Sequence, residues 1–396
     1  GTCPTNATPC RQTSRATNAL GELMQTTESP ILNGVATTLS TNKWTEPQGH
    51  VVAITDAEGV LTTASYNALG QRTASSDPDQ GAWTFTYDAF GELLVRTDAR
   101  SVVTAVNKRD VLGRTTEQQA VPPASPPPGL ANETIVDRWG FDPANGIGEL
   151  GQMQRLRGSN RTTPSANPEV WKEVYGYEAL TARPSTITTT ISEGAVQTLN
   201  TAMDYDIDGR PNTHTYPSPN GANRLQVKRS YTSFGQFASL SNATTNQVYW
   251  TANAENEWGH IVSKSWLNNA LTGTHADYDS TGQAKQKSWF GGGASDQFDY
   301  QYNRLGNLTS QARSAAGANV SENYTYDPLQ RLMSRSGSSG SAAYAYTKSG
   351  NLTEKSDFGV GANAYAYPAG KHGVTSIALP QGLTATYSYD ANGNLV

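Results

Sequence analysis

Residues 83–88, WTFTYD, show the clearest ordering of apolar and polar positions in the chain. Trp83, Phe85 and Tyr87 alternate with Thr84 and Thr86, so on a strand the rings share one face and the hydroxyls the other. Asp88 ends the alternation, Gly91 follows three places on, and Leu93 restarts an apolar position. An Asp side chain at the first position of a turn accepts backbone N–H groups two residues on, and glycine adopts positive φ at little cost. The stretch therefore predicts a hairpin. The same phrase returns with Tyr324, Tyr326 and Asp327 in YTYDPLQRL, and with Tyr300, Tyr302 and Gly306 in YQYNRLGNL. It returns again with Tyr344, Tyr346 and Gly350, and with Tyr387, Tyr389, Asp390 and Gly393. Earlier copies carry Tyr66 and Gly70; Asp110 and Gly113; Tyr205, Asp206 and Gly209; and Tyr278, Asp279 and Gly282.

Taking the Asp or its substitute as marker gives fourteen copies, from Asn67 to Asp390. Most spacings are 20 to 28 residues; the exceptions, 32 and 36, flank Asp142. A Pro-rich stretch at 120–130 and a Ser/Asn-rich one at 157–169 account for these as insert loops. Between the early markers lies a second turn, at Asp56, Asp77 and Asp98, so the chain there reverses about every 11 residues and leaves strands of about seven residues. One repeat of about 22 residues is thus two antiparallel strands. A lone hairpin is marginal in water, so the units must stack, and a sheet of that many strands must curl. The expectation is an all-β fold with under a tenth helix: antiparallel hairpin repeats in a spiralling sheet. Its divisions would be an N-terminal segment over 1–45 and a repeat array over 46–396.

Composition sharpens this picture. Only 36% of residues are hydrophobic and 16% charged, so the chain suits a thin, wetted sheet better than a thick core and lacks the charge of a disordered chain. The net charge of −5 comes without a basic block, which argues against nucleic acid as partner. No apolar run approaches the ~20 residues of a membrane helix. Cys3 and Cys10 are the only cysteines. They read either as a small disulfide loop, which would suit an oxidising compartment, or as two free thiols.

Candidate chemistry is thin. The five histidines, His50, His214, His260, His275 and His372, have no i, i+4 pair, so neither a metal site nor any other cofactor is expected. Most carboxylates stand at turn position one, where a structural role suffices. GGGASDQ at 291–297 lacks the Lys-Ser/Thr of a phosphate loop and replaces an inter-strand turn. The tyrosine rows are expected to pack as cross-strand aromatic ladders. A catalytic site should show as a break in the regularity, and the two insert loops carry no His, Cys or paired carboxylates. The chain is therefore expected to have no enzymatic activity.

YTYDPLQRL, YSYDANGNL, FTYDAFGEL and MDYDIDGRP closely resemble the YD repeat, or rearrangement hot spot (RHS) repeat, family, over about residues 50–396. The resemblance implies a β-sheet that spirals into a hollow shell. In bacterial polymorphic toxins and insecticidal toxin complexes such a shell encloses a C-terminal toxic domain; in teneurins a similar shell is an extracellular scaffold. Bacterial members usually close with an Asp-Pro-x-Gly-type core element, and none follows ANGNLV here, so the array reads as truncated before it. FDPANGIG at 141–148 is in register with the repeats and reads as a repeat turn. The favoured function is a non-enzymatic shell of a secreted bacterial protein, extracellular or on the cell surface, around a toxin or effector domain outside this chain. An extracellular fibre or adhesive scaffold is the alternative, and a carbohydrate-binding β-protein the second. The partner would be an enclosed polypeptide, or copies of the chain meeting through sheet edges.

Overall fold

The computed structural model describes residues 11–396 except 33–34, 127–130, 219–222, 268, 279, 316–317 and 362. Cys3, Cys10 and Asp279 lie outside the described residues. Among those described, the only helical elements are two three-residue 3-10 turns, Pro164–Ala166 and Pro380–Gly382. Everything else regular is strand. Twenty-nine strands, from Arg11–Thr17 to Leu352–Lys355, form one antiparallel sheet in which consecutive strands pair, except that Leu39–Thr45 pairs with Leu23–Leu32 past the short Val35–Ala36. The first strands belong to it: Leu39–Thr45 pairs with Val51–Thr55, so hydrogen bonding crosses residue 45 without interruption. The array does not run unbroken to the end, however. Tyr365–Ala366, Ser376–Ala378 and Thr384–Thr386 form a separate three-stranded sheet, and Pro368 and Pro380, each two residues past a strand end, lack the N–H that would extend those ladders.

The alternation read at Trp83, Phe85 and Tyr87 is real: strand Gly81–Tyr87 alternates half-buried and exposed residues along its length. The core is nonetheless meagre. Leu39, Val136, Leu156, Ala342, Ala364 and Ile377 are the buried hydrophobic residues among those described. A compact protein of this mass would expose about 15,000 Å²; this one exposes 23,027 Å². The fold is a sheet one layer thick over most of its length.

Most markers build the same turn, whereas Asp142 and Glu178 close wider ones by donating their N–H groups to Glu149 and Arg183 C=O. At Asp88 the backbone N–H donates to Glu92 C=O (2.9 Å) and Gly91 N–H donates to Asp88 C=O (3.1 Å). Asp88 Oδ1 accepts from the N–H groups of Phe90 and Glu92, both at 2.9 Å. This is a tight turn closed by a left-handed residue, and the pairing register slips by one just before it, between Thr86 and Tyr87. Asn67 and Asn303 bond identically, so the turn needs an acceptor oxygen rather than a charge. Gln330 takes the left-handed position in DPLQR at φ +66°. The GGGASDQ stretch is a two-residue hairpin, with Gly291 opposite Ala294 and positive φ at Gly292 and Gly293.

Candidate functional site: the wall unit and its seam

Tyrosines before many of the turns hold the wall together through their hydroxyls. Strands Arg72–Asp77 and Gly81–Tyr87 pair from Asp77↔Gly81 only as far as Ala74↔Thr84, then separate. Tyr87 bridges the resulting wedge by donating its hydroxyl to Arg72 C=O at 2.8 Å. Tyr205 does the same to Pro184, Tyr231 to Pro211, Tyr326 to Leu308 and Tyr389 to Val374, at 2.7–2.9 Å. Tyr367 donates to Leu352 C=O at 2.8 Å and so ties the small sheet to the large one. The expectation of aromatic ladders gives way to a hydroxyl staple, because strands that fan apart leave a backbone carbonyl unpaired at each wedge. Ring contacts do occur: Tyr278 meets Tyr302 edge-on at 6.3 Å, and Tyr66 stacks on His50 at 4.8 Å. Tyr300, Tyr324 and Tyr344 are half-buried on their strands, and Tyr387 is half-buried just past Thr384–Thr386.

A second device recurs where the residue after the turn is Arg. Arg210 Nε donates to Asp206 Oδ2 at 2.7 Å, and its guanidinium lies 4.5 Å from the Tyr231 ring centroid in the next repeat. Arg114 joins Asp110 to Phe141, and Arg331 joins Asp327 to Tyr346, in the same manner. The Arg210 guanidinium holds the Asp206 carboxyl below the ordinary carboxylate range, helped by backbone N–H groups. Charge pairing within one turn and a cation over the next ring thus couple neighbouring repeats. Gly70, Gly91, Gly113, Gly209, Gly282, Gly306, Gly350 and Gly393 all have positive φ.

The repeat that begins at Asn256 departs from this scheme by gathering titratable groups. Asn256 builds its turn normally, but the Arg position is His260 and the next turn opens on Tyr278, whose N–H donates to Gln283 C=O. Asp277 therefore occupies the wedge where other repeats place tyrosine. It accepts from Asn256 Nδ2 at 2.7 Å and meets His260 Nδ1 at 2.7 Å, with His275 Nε2 against its other oxygen. Scattered spacing had hidden this convergence; His275 and Asp277 two apart on one strand face was the available signal.

The far end of the chain meets its beginning. Asn392 Nδ2 donates to Asp98 Oδ2 (2.6 Å), Arg100 bridges Asp98 and Asp390, and His372 N–H donates to Asp79 Oδ1 (2.8 Å). His372 Nδ1 and Nε2 contact Asp79 and Asp56 at 2.6 and 3.2 Å. Ser349 donates to Glu58. These partners are 290 to 316 residues apart. The turns at 347–350 and 390–393 sit on the opposite-edge turns at 56–59 and 98–101, so the sheet curls through a full circuit without closing its hydrogen-bond ladder. Cavities of about 460 and 560 Å³ flank His372 along this seam. Hydrogen bonding to Asp79 raises the His372 pKa despite partial burial. Burial pushes the Asp98 carboxyl up, but Val102 N–H, Asn392 and Arg100 outweigh it and hold the pKa low. No helix among the described residues is long and apolar enough to cross a membrane.

Comparison with known proteins agrees with this architecture. The RHS Repeat family model matches residues 46–82 and 66–103, a stretch whose turns from Asp56 to Asp98 are all Asp- or Asn-marked. No curated protein matches the chain. Among solved structures, the Tc holotoxin pore of Photorhabdus luminescens matches with a TM-score of 0.73 at 15% identity, over 97% of this chain and 20% of that one. The TcdB2–TccC3 complex without its hypervariable C-terminal region matches with a TM-score of 0.73 at 14% identity, with the same coverage. The chain spans about a fifth of the length of the solved chains it matches. Residues 46–103 thus carry RHS repeats, and the chain as a whole shares its fold with these Tc toxin structures.

Proposed function

We propose that this chain is a length of the wall of a secreted bacterial shell that encloses a polypeptide, a toxin or effector domain outside residues 1–396. The observation that carries this reading is the seam: one sheet curls until residues about 290 positions apart meet edge to edge. A curled single layer with water on both faces is suited to bounding a space rather than to burying a core. Its regular positions serve turns, staples and repeat-to-repeat coupling, which favours a structural over an enzymatic role. The turn tips Phe90, Leu180, Ile207 and Phe234 are each at least 90% exposed along one edge, an apolar row suited to contact with further wall or with an enclosed chain. The test is imaging combined with proteolysis of the secreted protein. Closed hollow particles that protect a passenger segment until the wall is breached support the reading. Filaments would favour the fibre alternative, and a passenger digested at the rate of the free domain would overturn enclosure.

A further inference from the structure

The geometry points to a divalent transition-metal site, with Zn²⁺ the leading candidate, formed by His260, His275 and Asp277. One nitrogen from each imidazole and one carboxylate oxygen lie within 4.8 Å of one another, close enough for modest side-chain rotation to bring all three to the ~2.0–2.2 Å of zinc ligation. Two imidazoles with one carboxylate select zinc, nickel or copper over calcium or magnesium. The surroundings are built rather than incidental. The Asp277 side chain is 3% exposed and that of His275 13%, so both are fixed in the wall. Asp277 Oδ1 is buried with no hydrogen bond in good geometry, its close neighbour being His275 Nε2. Asn256 Nδ2 holds the other carboxylate oxygen at 2.7 Å, the outer-shell support that orients a ligating carboxylate.

The place in the fold gives the site a purpose. Strands Ile261–Trp266 and Leu271–Asp277 pair only from Trp266↔Leu271 to Ser263↔Thr274, so they separate at the turn end as other repeats do. In the repeats of Tyr87, Tyr205, Tyr231 and Tyr326 a tyrosine hydroxyl spans that wedge; here Asp277 stands in its position, and Tyr278 donates forward to Tyr300 C=O instead. A metal held by His260 at the start of one strand and by His275 and Asp277 on the next would replace the absent staple. His260 is 48% exposed, so the ion has a path from solvent, and three protein ligands leave a position for water or another group.

The test is calorimetric titration of Zn²⁺ into the chelator-treated full chain with its thiols alkylated, repeated with Co²⁺ and visible absorption. One saturable ion per chain is expected, together with a rise in Tm on loading. His260→Gln, at an exposed position, and Asp277→Asn should each weaken binding at least by the 10–100-fold that loss of an outer-shell partner alone costs. His372→Gln, in the seam, should leave it unchanged. Circular dichroism checks that each variant is folded, and His260→Gln suffices if Asp277→Asn is not. Absence of saturable binding, or one-to-one binding that survives His260→Gln, overturns the assignment.

Discussion

The wedge between Asp206 and Tyr231 and the seam between Asp98 and Asp390 both join one turn to another, but over very different chain distances. In the wedge, Arg210 reaches Asp206 four residues back and Tyr231 reaches Pro211 twenty residues back. In the seam, Asn392 reaches Asp98 across 294 residues. The wedge forms as soon as two repeats are in place, whereas the seam requires the whole curl. Local stability should therefore be nearly a sum over neighbouring repeats, and the circuit should be a weaker, separable event.

The largest expected effect would separate the two. Gly81 has φ +71°, and a Cβ there would stand 2.4 Å from Ala99 Cβ and 2.6 Å from Ala391 O. Gly81→Val should cost about 2–5 kcal/mol, from backbone strain together with overpacking. Hydrogen exchange should rise in residues 387–396 while protection at 197–231 is kept; equal loss in both would mean the seam is not separable. The reverse experiment is Tyr231→Ala, which empties a half-buried wedge and should cost about 3 kcal/mol. Exchange should then rise around 211–231 with the seam intact. Tyr231→Phe, which deletes only the hydroxyl, should cost about 1 kcal/mol.

Turn glycines away from the seam test the strain term by itself. Gly91→Val and Gly306→Val meet only the Gln71 and Gln283 amides, so each should cost on the order of 1–3 kcal/mol in denaturant melts. A loss matching that of Gly81→Val would show that contact with Ala391 contributes nothing.

The smallest effect is pH-dependent. The pKa of His372 is raised above 6.5 by Asp79, so its stabilisation is fully present below 6.5 and is lost as pH rises through the folded value. Burial opposes ionisation of Asp56, but Val60 and Glu58 N–H and then His372 keep its pKa below 3.8; that contribution is lost as pH falls through the folded value. The seam should be tightest between about pH 4 and 6.5. Calorimetric scans should show wild type exceeding His372→Gln by the widest Tm margin near pH 5–6, narrowing toward about pH 8. Both groups are partly exposed, so salt should shrink the margin.

The hairpin unit was legible because a turn acceptor, a left-handed residue and alternating strands are local demands repeated at nearly every copy. Asp88, Gly91 and the Trp83–Phe85–Tyr87 face announce themselves without any knowledge of neighbours. The tyrosine staple was not legible: the Tyr87 hydroxyl finds Arg72 C=O only because adjacent strands fan apart, and fanning is a property of the curled sheet. The His260–His275–Asp277 cluster was visible only as a degenerate copy, since its members converge across a wedge whose register the sequence does not print.

The seam left one faint trace in the sequence, the Asp at Asp56, Asp77 and Asp98 on the edge opposite the main turns, which fades in later repeats. Its partners Ser349, His372 and Asn392 keep the repeat spacing, but their residue types do not repeat. Sequence alone determined the repeat, its turns and its antiparallel pairing, because each depends on backbone geometry and hydrogen bonding within a few dozen residues. Tertiary structure decided which repeats meet after a circuit, because small twists summed over nearly thirty strands place residues about 290 apart side by side.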